Sequence, residues 1–152
     1  MLPIPKKYFL TSGFAEGESE LTAFDRALLS AGIGNINLLK VSSILPPGAQ
    51  YAPGMELPLG ALVPTAYGAI ICTEPGTIIA AAVAVGISPD SFGVIMELVG
   101  KFNKEEAETK IRAMVRESFA MRQMDLVEIK VSAVEHRVET IGCALAAAPM
   151  WY

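Results

Sequence analysis

Val41-Ser42-Ser43-Ile44 sets two hydroxyls side by side at the end of an apolar run, directly before the stop signal Leu45-Pro46-Pro47-Gly48. A serine Oγ held against the carbonyl of its preceding peptide can attack it, turning amide into ester, when the backbone is strained. Ser43 is thus the candidate nucleophile and Ser42 the candidate acyl group. Three further polar side chains sit where periodicity asks for apolar ones. Glu97, in Phe92-Gly93-Val94-Ile95-Met96-Glu97-Leu98-Val99, is flanked on its own strand face by Ile95 and Val99. Desolvation there raises a carboxyl pKa and lets it hold a proton near neutrality, the profile of a general acid. The other reading is an edge or interface glutamate paired with an arginine. Asp25 shares a helix face with Leu21, Phe24, Leu28 and Gly32. That points its carboxylate inward or into an interface, where it needs a cation, unless it marks the exposed edge of the stripe. Asn37 lies on the strand face of Leu39, Val41 and Ser43. From there its carboxamide would donate to a carbonyl near the serine pair, or be satisfied structurally in a turn.

The remaining chemistry-bearing residues carry less. His136 shares a face with Val134 and Val138 and reads as a satisfied core or interface histidine, since nothing supplies metal-ligand partners. Lys40 has the side chain a Schiff base needs, but no phosphate-cradling motif accompanies it. Cys72 and Cys143 lie in separate apolar segments with no CxxC, which predicts two buried free thiols in a reducing compartment. Gly32-Ile33-Gly34-Asn35 follows a helix and lacks a third glycine, so it is not a dinucleotide loop. No P-loop, Gly-x-Ser-x-Gly or His-Glu-x-x-His occurs.

The elements that must position these groups can be read from pattern and punctuation. A short strand over 6–11 precedes a helix over 18–31, ended by Gly32. A strand over 36–44 runs into a Pro- and Gly-rich loop reaching Pro58, long enough to shape a substrate entrance. A meander follows over 61–73, kinked near Pro64, then 77–87 and 92–99, with Glu74-Pro75-Gly76 and Ser88-Pro89-Asp90 as turns. Asn103 caps a helix over 104–123, with Glu106 at the capping-box position and a stripe of Ala107, Ile111, Met114, Val115 and Phe119. Strands over 126–139 and 141–152 close the chain. Two amphipathic helices and about seven strands predict an α+β domain of two face-to-face sheets with a helix on each outside.

The 152 residues suit one domain with a real core. With 52% hydrophobic and only 18% charged residues, the surface is short of charge for a monomer and predicts burial against copies of itself. A net charge of −4 without clustered Lys and Arg excludes an electrostatic nucleic-acid platform. No signal peptide is readable, and Pro and Gly interrupt every apolar tract short of a membrane span. The expectation is a soluble, cytoplasmic protein without nucleic-acid or membrane partners.

Several separated segments in fixed order resemble the pyruvoyl-dependent arginine decarboxylases from about Tyr8 to Tyr152. They are Ala27-Leu28-Leu29-Ser30-Ala31-Gly32-Ile33-Gly34-Asn35-Ile36-Asn37-Leu38, the Ser42-Ser43 pair before Pro46-Pro47, and Gly60-Ala61-Leu62-Val63-Pro64-Thr65-Ala66-Tyr67-Gly68. Gly142-Cys143-Ala144 and Trp151-Tyr152 add to the match. The resemblance implies a four-layer αββα sandwich of two mainly antiparallel sheets, forming trimers, sometimes paired, with active sites between subunits. It implies that the single 1–152 domain cleaves itself between Ser42 and Ser43 into a 1–42 β chain and a 43–152 α chain. Ser43 then becomes a covalent pyruvoyl group, so neither pyridoxal phosphate nor a metal is required. By the same resemblance Asn37 aids self-processing, polarising the carbonyl or stabilising the oxyanion. Glu97 protonates the α-carbon after decarboxylation through a Schiff base, and Asp25 binds the guanidinium of L-arginine, with agmatine as product. Two alternatives stay open: a trimeric binding protein that never cleaves, and the same machinery acting on another cationic amino acid.

Overall fold

The computed structural model describes residues 1–152. In chain order its elements are β1 (Lys7–Tyr8), β2 (Thr11–Glu16), α1 (Glu20–Ser30), β3 (Asn37–Lys40), β4 (Ile44–Leu45) and β5 (Gln50–Tyr51). Then follow β6 (Leu62–Cys72), β7 (Ile78–Ile87), β8 (Gly93–Gly100), α2 (Lys104–Met121), β9 (Glu128–Arg137) and β10 (Gly142–Trp151). The six-stranded first sheet runs β3-β6-β10-β1-β5, with β2 also on β10; the four-stranded second sheet runs β4-β8-β7-β9. Only β3 with β6 and β1 with β5 pair in parallel.

Three apolar layers hold the sandwich together, each demanded by the pattern of its strands. Between the sheets lie Ile79, Val83, Val85 and Ile95 from one side and Ala66, Ala144, Ala146 and Ala148 from the other. Outside the second sheet, α2 buries Ala107, Ile111, Val115 and Phe119 on Ala80, Ala82 and Ala84. The alanines let the helix come close, and at Gly86 a Cβ would stand 2.5 Å from the Phe119 ring. Outside the first sheet, α1 buries Ala23 and Ala27, with its C-cap Ala31, on Cys143, Leu145 and Ala147. The order is therefore α1, first sheet, second sheet, α2, the predicted αββα sandwich.

The structure alters several local expectations. The run over 36–44 is two strands in different sheets, because residues 41–43 carry the chain from one sheet to the other. Val41 N–H still donates to Thr65 O in the first sheet (3.1 Å), whereas Ser43 O already accepts from Ile95 N–H in the second (2.7 Å). The expected first strand is likewise two, and the proline-rich loop contains β5, paired with β1. The run over 77–87 is a strand, as expected from its flanking β-branched residues. Asn103 caps α2 through Glu106 N–H (2.8 Å), but the reciprocal capping box belongs to α1, between Ser19 and Thr22.

Candidate active site

Glu97 lies on β8 opposite Val83, on the face that Ile95 and Val99 turn toward the first sheet. It projects at β6 where Gly68 has no side chain: a Cβ there would lie 3.4 Å from Glu97 Cγ and 3.2 Å from Val99 Cγ1. The carboxyl is half-buried, and burial raises its pKa above the ordinary value, with the Lys40 cation pulling partly back. The expected direction of the shift, upward by burial between Ile95 and Val99, agrees with this geometry.

Ser42 is exposed and Ser43 half-buried at the crossing between the sheets. The Ile95 N–H that holds the Ser43 carbonyl is two residues from Glu97 along the same strand, about 7 Å. Ser43 also lines a cavity of about 270 Å³ against Met96, the α2 residues Met114 and Ser118, and the α2 C-cap Arg122. Ser42 lines a second one, of about 260 Å³, with Val41, Pro64 and Tyr152. The Ser42–Ser43 peptide thus borders two cavities, while its flanks are tied to different sheets.

Asn37 and Asp25 are not brought to this place within one copy of the chain. Asn37 begins β3, exposed, with its Nδ2 donating to Gly60 O at 3.0 Å instead of to a carbonyl beside the serines. The extended face imagined to join it to Ser43 does not exist, since β3 ends at Lys40. Asp25 is exposed: the buried face of α1 is Ala23 and Ala27, and Leu21 and Leu29 stand beside Asp25 in solvent, 76% and 50% exposed. Being on the outer side of α1, it is separated from Glu97 by the helix and the first sheet. Leu29, one turn along, walls an open cavity of about 560 Å³ also lined by Ile36, Met55, Leu57 and Leu59.

His136 is a satisfied histidine. Its Nε2 meets Glu16 Oε2 at 2.6 Å, and the Glu16 carboxylate also accepts from Thr140 N–H (2.7 Å) and Ile141 N–H (3.0 Å). Burial opposes ionisation of Glu16, but the His136, Thr140 and Glu139 donors outweigh it and hold its pKa below the ordinary range. Both cysteines are buried and free, and burial pushes the Cys143 thiol up to about 11.

Sequence reasoning missed the place of Lys40. It ends β3 with Nζ 4.6 Å over the centre of the Tyr67 ring, near enough to Glu97 to bias its ionisation. Its closeness to Glu97 depends on β3 pairing in parallel with β6, which no local pattern announces.

A family model described as pyruvoyl-dependent arginine decarboxylase matches residues 7–152. The chain belongs to that family. It is 52% identical to the pyruvoyl-dependent arginine decarboxylase of Methanocaldococcus jannaschii over 151 residues, spanning 98% of this chain and 92% of that one. The protein of the same description from Methanococcus vannielii is 45% identical, spanning 97% and 92%. That from Pyrococcus abyssi is 42% identical, spanning 97% and 96%. Family membership carries with it a covalent pyruvoyl group as cofactor. No helix is long and apolar enough to cross a membrane.

Proposed function

We propose that the chain cleaves itself between Ser42 and Ser43 and, as residues 1–42 and 43–152, decarboxylates L-arginine to agmatine. The observation that carries this reading is the serine pair at the sheet crossing, its carbonyl held on β8 two residues from a half-buried Glu97. Ser43 Oγ attacks the Ser42 carbonyl, and its nitrogen leaves that carbon to give an ester. Loss of the Ser43 α-proton expels the Ser42 carboxylate and leaves dehydroalanine, which takes up water, releases ammonia and becomes pyruvoyl. Asn37, whose Nδ2 within one chain donates to Gly60 O, aids this processing at the serine pair of another copy. The resulting ketone condenses with the substrate α-amine and serves as electron sink while carbon dioxide departs. Glu97 supplies the proton to the α-carbon, and the apolar walls of Ile95 and Val99 are the physical reason it holds one.

Asp25 binds the guanidinium by a bidentate pair. Its position outside α1 requires that it serve the Glu97 site of another copy, so the active unit is an oligomer with sites between subunits, a trimer or paired trimers. The exposed Leu21 and Leu29 beside Asp25 favour that arrangement over a monomer.

Intact mass under denaturing conditions tests the reading. The expected result is Met1–Ser42 as one chain and a 43–152 chain lighter by one ammonia than its serine-started form. Ser43→Ala should fold yet remain a single chain. A wild-type chain that stays whole after prolonged incubation, or a cleaved one releasing no carbon dioxide from arginine, would sink the proposal.

A further inference from the structure

Gly68 lies in the middle of β6, where a glycine weakens a strand. Its backbone does not ask for one, since the positive-φ glycines of the chain are Gly32, Gly48, Gly54, Gly60 and Gly76. The reason is space, and the register of the two sheets shows what uses it. Across the first sheet Gly68 pairs with Ala146, and Ala146 with Ser12. Across the second Glu97 pairs with Val83, and Val83 with Ser132. These two rows face each other. At one end a Cβ on Gly68 would stand 3.4 Å from Glu97 Cγ; at the other Ser132 Oγ donates to Ser12 Oγ at 2.9 Å. Ala146 and Val83 pack together between the ends. The neighbouring row of the first sheet carries Ile70, Ala144 and Phe14, so the Gly68 row is made of much smaller side chains.

Glu97 is the one long side chain in that layer. Val83 stands beside it on β7, Ile95 and Val99 flank it on its own strand, and Gly68 faces it. The only charge that bears on it is Lys40, which lies with Tyr67 on the far face of the first sheet. A side chain at position 68 cannot be absorbed by parting the sheets, because the serine contact holds them at the other end. Val99 cannot yield freely either. Its Cγ1 would lie 3.2 Å from the new Cβ, and a β-branched residue has few rotamers to choose from. What gives way is Glu97, turned out of the layer toward solvent. We propose that Gly68 is a positioning residue whose empty side-chain position seats the stem of Glu97 and keeps its carboxyl between the sheets; this rests on the proton-donor role given to Glu97 above. A larger residue there should remove the proton donor while leaving the serine pair and the guanidinium contact in place.

The test uses processed enzyme, with cleavage verified by mass, carrying Gly68→Ala or Gly68→Val. In Gly68→Val the kcat for arginine should fall about a hundredfold, the lower end of what a positioned acid contributes, with KM within about threefold. Gly68→Ala adds a single methyl and should lose about threefold to tenfold in kcat; it carries the test should Gly68→Val fail to fold. Titration of ¹³C-labelled glutamate carboxyls reads the seat directly, with the Glu97 signal assigned by its loss in Glu97→Gln. That signal should titrate above the ordinary 4.5 in the wild type and return to about 4.5 in Gly68→Val, with a smaller move the same way in Gly68→Ala. A glycine needed only for packing would, when replaced, lower the melting temperature and leave the Glu97 titration where it was. That result overturns the proposal, whatever happens to kcat. A titration that moves as expected while kcat holds keeps the seat and removes the proton-donor reading. Wild-type enzyme inert toward arginine removes the decarboxylase reading, and the titration still decides the seat.

Discussion

Replacing Glu97 with glutamine separates the proton from the shape. Glutamine fills the same slot against Gly68 and Val99, so the sheets need not repack and Ser43 keeps its Ile95 partner. Processing should go to completion. What is lost is a proton donor, and a positioned general acid is worth about 10²- to 10⁴-fold, or roughly 3–5 kcal/mol of barrier. We expect kcat for carbon dioxide release from carboxyl-labelled arginine to fall by about that factor with little change in KM. Stability should move the other way. Because burial raises the Glu97 pKa, the folded chain holds the proton more tightly than the unfolded one, and the carboxylate costs stability once pH climbs through the raised value. Glutamine is neutral throughout, so variant and parent should unfold alike in acid, and the variant should be the more stable at pH 8. A kcat within threefold of the parent would refute the role. A variant less stable at pH 8 than at pH 5, relative to the parent, would refute the burial argument.

Asp25→Ala should raise the arginine KM about tenfold to a hundredfold, the worth of a charge-assisted pair, while cleavage measured by mass proceeds normally; an unchanged KM would remove the guanidinium assignment. Glu16→Gln should cost about 1–2 kcal/mol in denaturant unfolding at pH 7, since a carboxylate serves several donors there. A lowered carboxyl pKa stabilises the fold above the ordinary value of 4.5 and loses that benefit as pH falls through the folded one, so the parent's advantage should fade in acid. An advantage unchanged at pH 3 would contradict the linkage.

The layers of this fold were legible because helices and long strands declare their buried faces locally. Ala107, Ile111, Val115 and Phe119 recur at helical spacing, and Ile95 and Val99 flank Glu97 within five residues. Two features were not legible, each for a physical reason. The break after Lys40 has no turn signal, since Val41, Ile44 and Leu45 carry β-forming character past the serine pair with no Gly or Pro before Pro46; it exists because β6 and β8, far along the chain, compete for the two halves. The orientation of α1 was misread because the buried face is alanine. A helix pressed onto β2 so closely that Gly13 has no room for a Cβ must turn its small residues inward. Leu21, Asp25 and Leu29 are left outside, and hydropathy alone ranks leucine above alanine. The half-burial of Glu97 was thus readable from its neighbours in sequence, whereas the place of Asp25 follows from the packing of its helix.

The crossing between the sheets has a consequence for the lifetime of the molecule. If the chain is cut there, residues 1–42 keep β1 and β2 on β10, β3 on β6, and α1 on the outer face of the first sheet. The nick leaves every strand pair in place, so the folded product should be nearly as durable as its precursor. Unfolding, however, would release two separate polypeptides whose reunion depends on concentration. The intact precursor refolds as one chain, whereas the mature pair must find each other again. Survival of the mature enzyme would then be set by how slowly it first opens.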